Sequence, residues 1–190
     1  MTSSLLLDSL RRRMRAMHSL YEDAVATMEP HHVNHFEREG VLPIAFSLFH
    51  YLNMQDVTSG LLMGEAPIWA TGGWQERVQM AIDDHGKERP VSDMIHQRIG
   101  DYDAFAEYMA AVFARTEAWL ATLTDADIEK LMVPKPYPPT VANTFSARVG
   151  GEEGITVLDA IECWIYQHGL RHMGEIELAR GLVGLGGMTS

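Results

Sequence analysis

Four long stretches of this chain repeat apolar residues every three or four positions, and segments rich in proline or glycine separate them. That period fits the turn of an α-helix and not the alternation of a strand. In the first stretch, Leu7, Leu10, Met14, Met17, Tyr21 and Val25 share one face. The pattern predicts a helix from about Ser3 to Met28, with Ser3 or Ser4 as its cap. Pro30 and the run His31-His32-Val33-Asn34-His35 mark the break after it.

The second helix is expected from about Leu42 to Met63, with Pro43 in its first turn. Its inward stripe reads Pro43, Phe46, His50, Asn53 or Met54, Val57 and Leu61. Gly64 to Pro90 reads as irregular, with a short helix around Gln75–Ile82. The third helix begins near Ser92 and continues on Phe105, Met109, Val112, Thr116 and Leu120 to about Leu123. Thr124 and Asp125 cap a short piece over Ala126–Met132. Pro134, Pro136, Pro138 and Pro139 open a second long loop, in which Thr140–Val149 is the candidate strand or hairpin. The fourth helix is expected from about Ile155 to Leu182, closed by Gly181 and Gly184. The expected fold is therefore all-α, a four-helix bundle with long irregular loops, as one domain over residues 1–190.

The fourth stretch carries the chemistry. At about 100° per residue, Val157, Ile161, Trp164, His168, His172, Glu175 and Ala179 form one stripe, apolar until two imidazoles interrupt it. Imidazoles on a buried face need polar partners or a metal. Residues four apart on a helix lie close enough for both rings to reach one ion. His50 breaks the stripe of the second helix in the same way, which makes it the candidate third ligand. Three imidazoles leave at least one coordination position open, the pattern of a catalytic site. They suit zinc, nickel, iron or manganese. The same residues also fit a buried, hydrogen-bonded trio without an ion. Glu175 is the candidate for orienting a histidine or handling a proton, against a plain salt bridge. Asn53 is a weaker candidate beside His50.

Spacing alone does not select this pair, because His31 and His35 repeat it among nine histidines. They follow Pro30 with no apolar stripe, so a solvated loop is expected there. Other chemistries fit less well. Gly169 stands where a His-Glu-x-x-His protease would carry glutamate. Cys163 falls about 140° around a regular helix from His168 and reads as a buried small side chain. A formal net charge of −11 disfavours nucleic acid, and the run Arg11-Arg12-Arg13-Met14-Arg15 reads as a solvated face. No apolar run is long enough to cross a bilayer, and Leu5-Leu6-Leu7 before Asp8 does not read as a secretory signal. The single cysteine fits a reducing, cytoplasmic setting.

Several segments in order resemble the DinB/YfiT-like superfamily of metal-dependent bundle proteins. They are Leu42-Pro43-Ile44-Ala45-Phe46-Ser47-Leu48-Phe49-His50, then Pro67-Ile68-Trp69 with Gly72-Gly73-Trp74, then His168-x-x-x-His172-x-Gly174-Glu175-Ile176, and finally Arg180-Gly181-Leu182-x-Gly184. The resemblance implies up-down-down-up topology, a three-histidine metal site at His50, His168 and His172, and a homodimer. It also implies a small-molecule substrate and, in characterised relatives, a low-molecular-weight thiol. Two functions follow as expectations. One is a metal-dependent enzyme, a thiol-dependent S-transferase, with Trp69, Trp74 and the proline-rich loop over its site. The other is a non-catalytic bundle that binds metal or ligand, or serves as an interaction scaffold.

Overall fold

The computed structural model describes residues 4–188. Four long helices dominate it. They are α1 (Leu5–Ala26), α2 (Ile44–Met63), α3 (Tyr102–Thr122) and α4, which joins Val157–Ala160, a π-helical stretch Ile161–Tyr166 and Gln167–Leu182. α1 packs against α3 and α4, and α2 packs against the same two helices. The class is all-α, as expected. Among the described residues the strand content is one antiparallel ribbon, β1 (Leu131–Pro134) with β2 (Gly154–Thr156).

α1 follows its period closely. Ser4 Oγ accepts the Leu7 N–H at 3.3 Å and caps the helix, while Ser3 lies outside the described residues. Leu7, Leu10, Met14, Met17, Tyr21 and Val25 are all buried. The arginine run is a paired face, with Arg12 on Asp8, Arg13 on Glu162 and Arg15 on Glu117.

α2 departs from a simple stripe, because every residue from Ile44 to Asn53 is buried. Pro43 caps it from outside the first turn, and Gly64 ends it at φ 72°. Val57 and Leu61, expected to face inward, are exposed. Asp56 turns inward instead. Its carboxylate accepts the backbone N–H groups of Ile68 and Trp69, the Tyr108 hydroxyl and the Arg115 guanidinium. A buried carboxylate with four donors is satisfied, and it ties the next loop to α2 and α3.

Other boundaries move for local reasons. α3 starts at Tyr102 and not near Ser92, with Asp101 as its cap. The expected start near Ser92 is instead a separate short helix, Val91–Met94, after which the chain leaves helical geometry and side-chain amides tie it down: Asn34 brackets the Ile99 backbone and Gln97 brackets that of Ile82. The short helix after Gly73 spans Trp74–Val78 and stops where Gln79 takes φ 55°. Thr124 caps a piece that ends at Ile128, and Met132 belongs to β1. Thr140–Val149 is not a strand. Pro139 opens the helix Pro139–Ala142, and Thr144 Oγ caps Phe145–Val149 through the Ala147 N–H. Ile155 lies in β2, and α4 starts after Thr156, whose capping box with Asp159 fixes the turn.

Candidate metal centre

The expected stripe on α4 assumes an unbroken α-helix. The π-helical stretch Ile161–Tyr166 changes that register, since its hydrogen bonds span one residue more per turn. The buried line through α4 is Ile161, Ile165, Gly169, Met173, Ile176 and Arg180. His168 and His172 precede two of these by one position and are half-buried. They stand at the margin of the core and not in its centre, so one side of each ring is free to face a ligand.

Gly169 sets how closely α4 approaches. A Cβ there would lie 2.3 Å from Met17 Sδ and 2.7 Å from the Tyr51 ring, so only glycine fits between α1 and α2. The Tyr21 hydroxyl donates to the Gly169 carbonyl at 2.8 Å and locks the contact. That approach brings His50 on α2 to the α4 pair. The His50 ring centroid lies 5.4 Å from that of His168 and 4.8 Å from that of His172. One ligand atom from each of the three lies within 4.8 Å of the others, so the trio could hold a metal ion. The His168 and His172 Nε2 atoms are 2.9 Å apart. Two nitrogens on one tetrahedral ion at ordinary bond lengths sit about 3.3 Å apart, so a few tenths of an ångström of ring movement suffice.

Hydrogen bonding fixes two of the rings with a lone pair presented. His50 Nδ1 faces the His85 carbonyl oxygen, which can only accept. His50 therefore carries its proton on Nδ1 and leaves Nε2 bare. His172 Nδ1 donates to Glu175 Oε2 at 2.7 Å, and Ser47 Oγ donates to the same oxygen at 3.0 Å. A histidine buttressed by a carboxylate is the usual outer support of a metal ligand. Burial pushes the His50 pKa down to about 4, reinforced by nearby His172, against the His85 carbonyl. Burial likewise lowers His168 to about 3, with His172 and His50 adding to the effect. Both rings are thus neutral at pH 7, the form that binds metal. The Glu175 carboxyl is held below its usual range, first by the His172 hydrogen bond.

A cavity of about 390 Å³ opens beside the trio, lined in part by His50, Met54, Phe145, Trp164 and His168. Cys163 lines it too, which corrects the regular-helix expectation. With i to i+5 bonding in the π stretch, a residue five before His168 comes to the same side of the helix. Burial raises the Cys163 thiol to about 11, with Asp159 and Glu162 adding to it, so it stays protonated at pH 7. A larger groove of about 540 Å³ lies elsewhere, around Arg115, Trp119 and Lys130, away from the histidines.

The remaining candidates fall outside this centre. Trp69 packs on Phe49 and Tyr108, and Trp74 on Tyr108, so neither lines the cavity. The proline-rich loop does cover it, through Val141, Thr144, Phe145 and Ser146. Asn53 is buried beside Tyr108 and not at His50. His31 and His35 are exposed next to Glu29 and Glu37. Sequence reasoning missed the His85 carbonyl, because a backbone acceptor leaves no residue-type signal. It also missed Ser47, although its place three before His50 was visible.

No protein-family model matches the chain, and no curated protein matches it. Among solved structures, the chain is similar to a conserved protein of Enterococcus faecalis, with 14% identity, 93% of this chain and 96% of that chain covered, and a TM-score of 0.73. At that identity the likeness shows the fold.

Proposed function

We propose that the protein is a metal-dependent enzyme that transfers the sulfur of a thiol to a small electrophile, and that it is a DinB/YfiT-like bundle. The observation that carries this reading is the convergence of His50, His168 and His172 beside a cavity of small-molecule size. Three neutral ligands leave a position open for a reacting group. When bound, a divalent zinc, nickel, iron or manganese ion would lower the pKa of a thiol or water at that position. The chain holds the lone pairs in place through the His85 carbonyl and the Glu175–Ser47 pair. Glu175 is thereby a positioning residue for His172. In the overall reaction the thiol gives up its proton, its sulfur forms the new carbon–sulfur bond, and the leaving group departs with the electron pair of the bond it breaks. The same reading carries the up-down-down-up helix order, a cytoplasmic setting and a homodimer.

The test is metal analysis of untagged protein purified without chelator, followed by thiol-transfer assays with several low-molecular-weight thiols and an alkylating electrophile. Near-stoichiometric metal and metal-dependent turnover, both lost in His50→Ala, are expected. Full metal retention in a His168→Ala/His172→Ala variant, or no metal-dependent turnover with any thiol, would overturn it.

A second reading is a non-catalytic bundle that binds metal and ligand. It is favoured by the engagement of Glu175 with both His172 and Ser47, which withdraws the acid expected to move a proton. A metal-loaded protein that binds thiols without turnover selects this reading.

A further inference from the structure

The lining of the cavity includes two cations. Lys87 and Arg171 both line it, in a chain where acids outnumber bases by 26 to 15. Most surface cations with an acid in reach use it, as Arg13, Arg77, Arg89 and Arg115 do. Lys87 and Arg171 have no ion pair among the described residues. Arg171 has Glu175 four positions on, a spacing at which helical ion pairs form, yet Glu175 turns to His172 and Ser47. Near Lys87, Asp84 is taken by Arg89. Both cations ride on the segments that place the histidines. Lys87 follows His85, whose carbonyl holds His50, and Arg171 lies between His168 and His172. The positive field of Arg171 reaches the site, lowering the pKa of both His168 and Cys163.

We infer that the small molecule bound here carries an oxyanion group, a carboxylate or a phosphate ester, received by Lys87 and Arg171. Its apolar body lies along Met54, Phe145 and Trp164, and its far end reaches the imidazoles of His50 and His168. Charge-assisted contacts from a guanidinium fork and an ammonium suit such a group. This rests on the proposed metal–thiol reading for the reacting end alone. The anion end stands on the cavity and its cations.

The experiment uses cobalt(II)-loaded protein titrated with 4-mercaptobenzoate, 4-mercaptophenyl phosphate and the neutral 4-mercaptobenzamide, read by thiolate-to-cobalt absorption. At least one anion is expected to bind about tenfold or more tightly than the amide. That preference should collapse in Lys87→Met/Arg171→Met, and because both side chains are exposed the variant is expected to keep its fold, checked by its thermal unfolding. Equal binding of the amide and both anions, or a preference that survives in the double variant, overturns the inference. If cobalt binds to the three histidines and no thiol gives the absorption, the metal–thiol reading fails by itself. The anion end is then decided by benzoate, phenyl phosphate and benzamide binding to the metal-free protein, measured calorimetrically in the same variants, with the same two outcomes.

Discussion

The Nε2 atoms of His168 and His172 face each other at 2.9 Å. Two lone pairs cannot meet at that distance, so one nitrogen carries a proton. Glu175 accepts the Nδ1–H of His172, so the Nε2 of that ring is the acceptor. His168 is then the Nε2–H donor in the metal-free protein. An ion at the trio must displace that proton, and His168 must move to the Nδ1–H tautomer to coordinate through Nε2. Nitrogen-15 spectra of the imidazoles at pH 8 should show His50 and His172 as Nδ1–H throughout, with His168 changing tautomer on zinc addition. A His168 ring already protonated on Nδ1 without metal would contradict the assignment.

Glu175 should matter to metal affinity more than to folding. It is about half exposed, and its two hydrogen bonds go to the site. Glu175→Ala removes the acceptor of His172 Nδ1 and frees the ring to turn. Chelator competition is expected to show zinc affinity reduced by about 10- to 100-fold. Thermal unfolding of the metal-free protein should change little. Unchanged zinc affinity would reduce the contact to a surface ion pair.

Two glycines of α4 should respond in opposite directions. Gly169 meets Met17 and Tyr51, whereas a Cβ at Gly174 meets nothing within 4 Å. Gly169→Ala forces α4 away from α1 and α2, at a cost of about 1–3 kcal/mol in the overpacking range. It also draws His168 and His172 back from His50, so weaker zinc binding is expected with it. Gly174→Ala adds helix propensity at an exposed position and should stabilise by about 0.5–1 kcal/mol. Denaturant titration of both variants checks the pair, and a neutral Gly169→Ala would show that the helix contact is looser than the geometry states.

How much of this was legible depended on which neighbour decided each residue. α1 was readable nearly in full, because Ser4 caps it and one apolar face meets one core. α2 was readable as a helix but not by face, since its first half is enclosed on all sides and Asp56 then overrides the apolar period. The histidine trio was readable because each ring interrupts an apolar period in the sequence. Its exact placement was not, because the π-helical stretch moves Cys163 into line with His168 and carries both histidines to the edge of the core. No local spacing records that register change. The loops were the least readable. The Asn34 and Gln97 amides that tie down the chain before α3 pair with backbone distant in sequence, and β1 finds β2 across the whole proline-rich loop.

The stability of the metal-free protein should fall steeply below neutral pH. His18 is fully buried, stacked on Phe113 with ring centroids 3.9 Å apart, and burial holds its pKa below the usual value in spite of Glu117. His50 and His168 are lowered to about 4 and about 3 for the same first reason. In each case the folded protein resists a proton that the unfolded chain accepts near pH 6.5. Below that value the unfolded state binds more protons, so stability falls as pH falls. The loss begins near pH 6.5 and continues toward pH 4 and below, where Glu117 and Glu175, held below their usual range, add to it in the same direction. Above pH 7 the three imidazoles contribute no slope. Bound zinc should hold stability nearly constant until protons compete for the ligands, and then let it drop more sharply. Urea unfolding from pH 8 to pH 4.5, with and without zinc, measures this. A His168→Gln variant should show a shallower metal-free slope below pH 6.5, and an unchanged slope would mean that His168 is not held neutral by its burial.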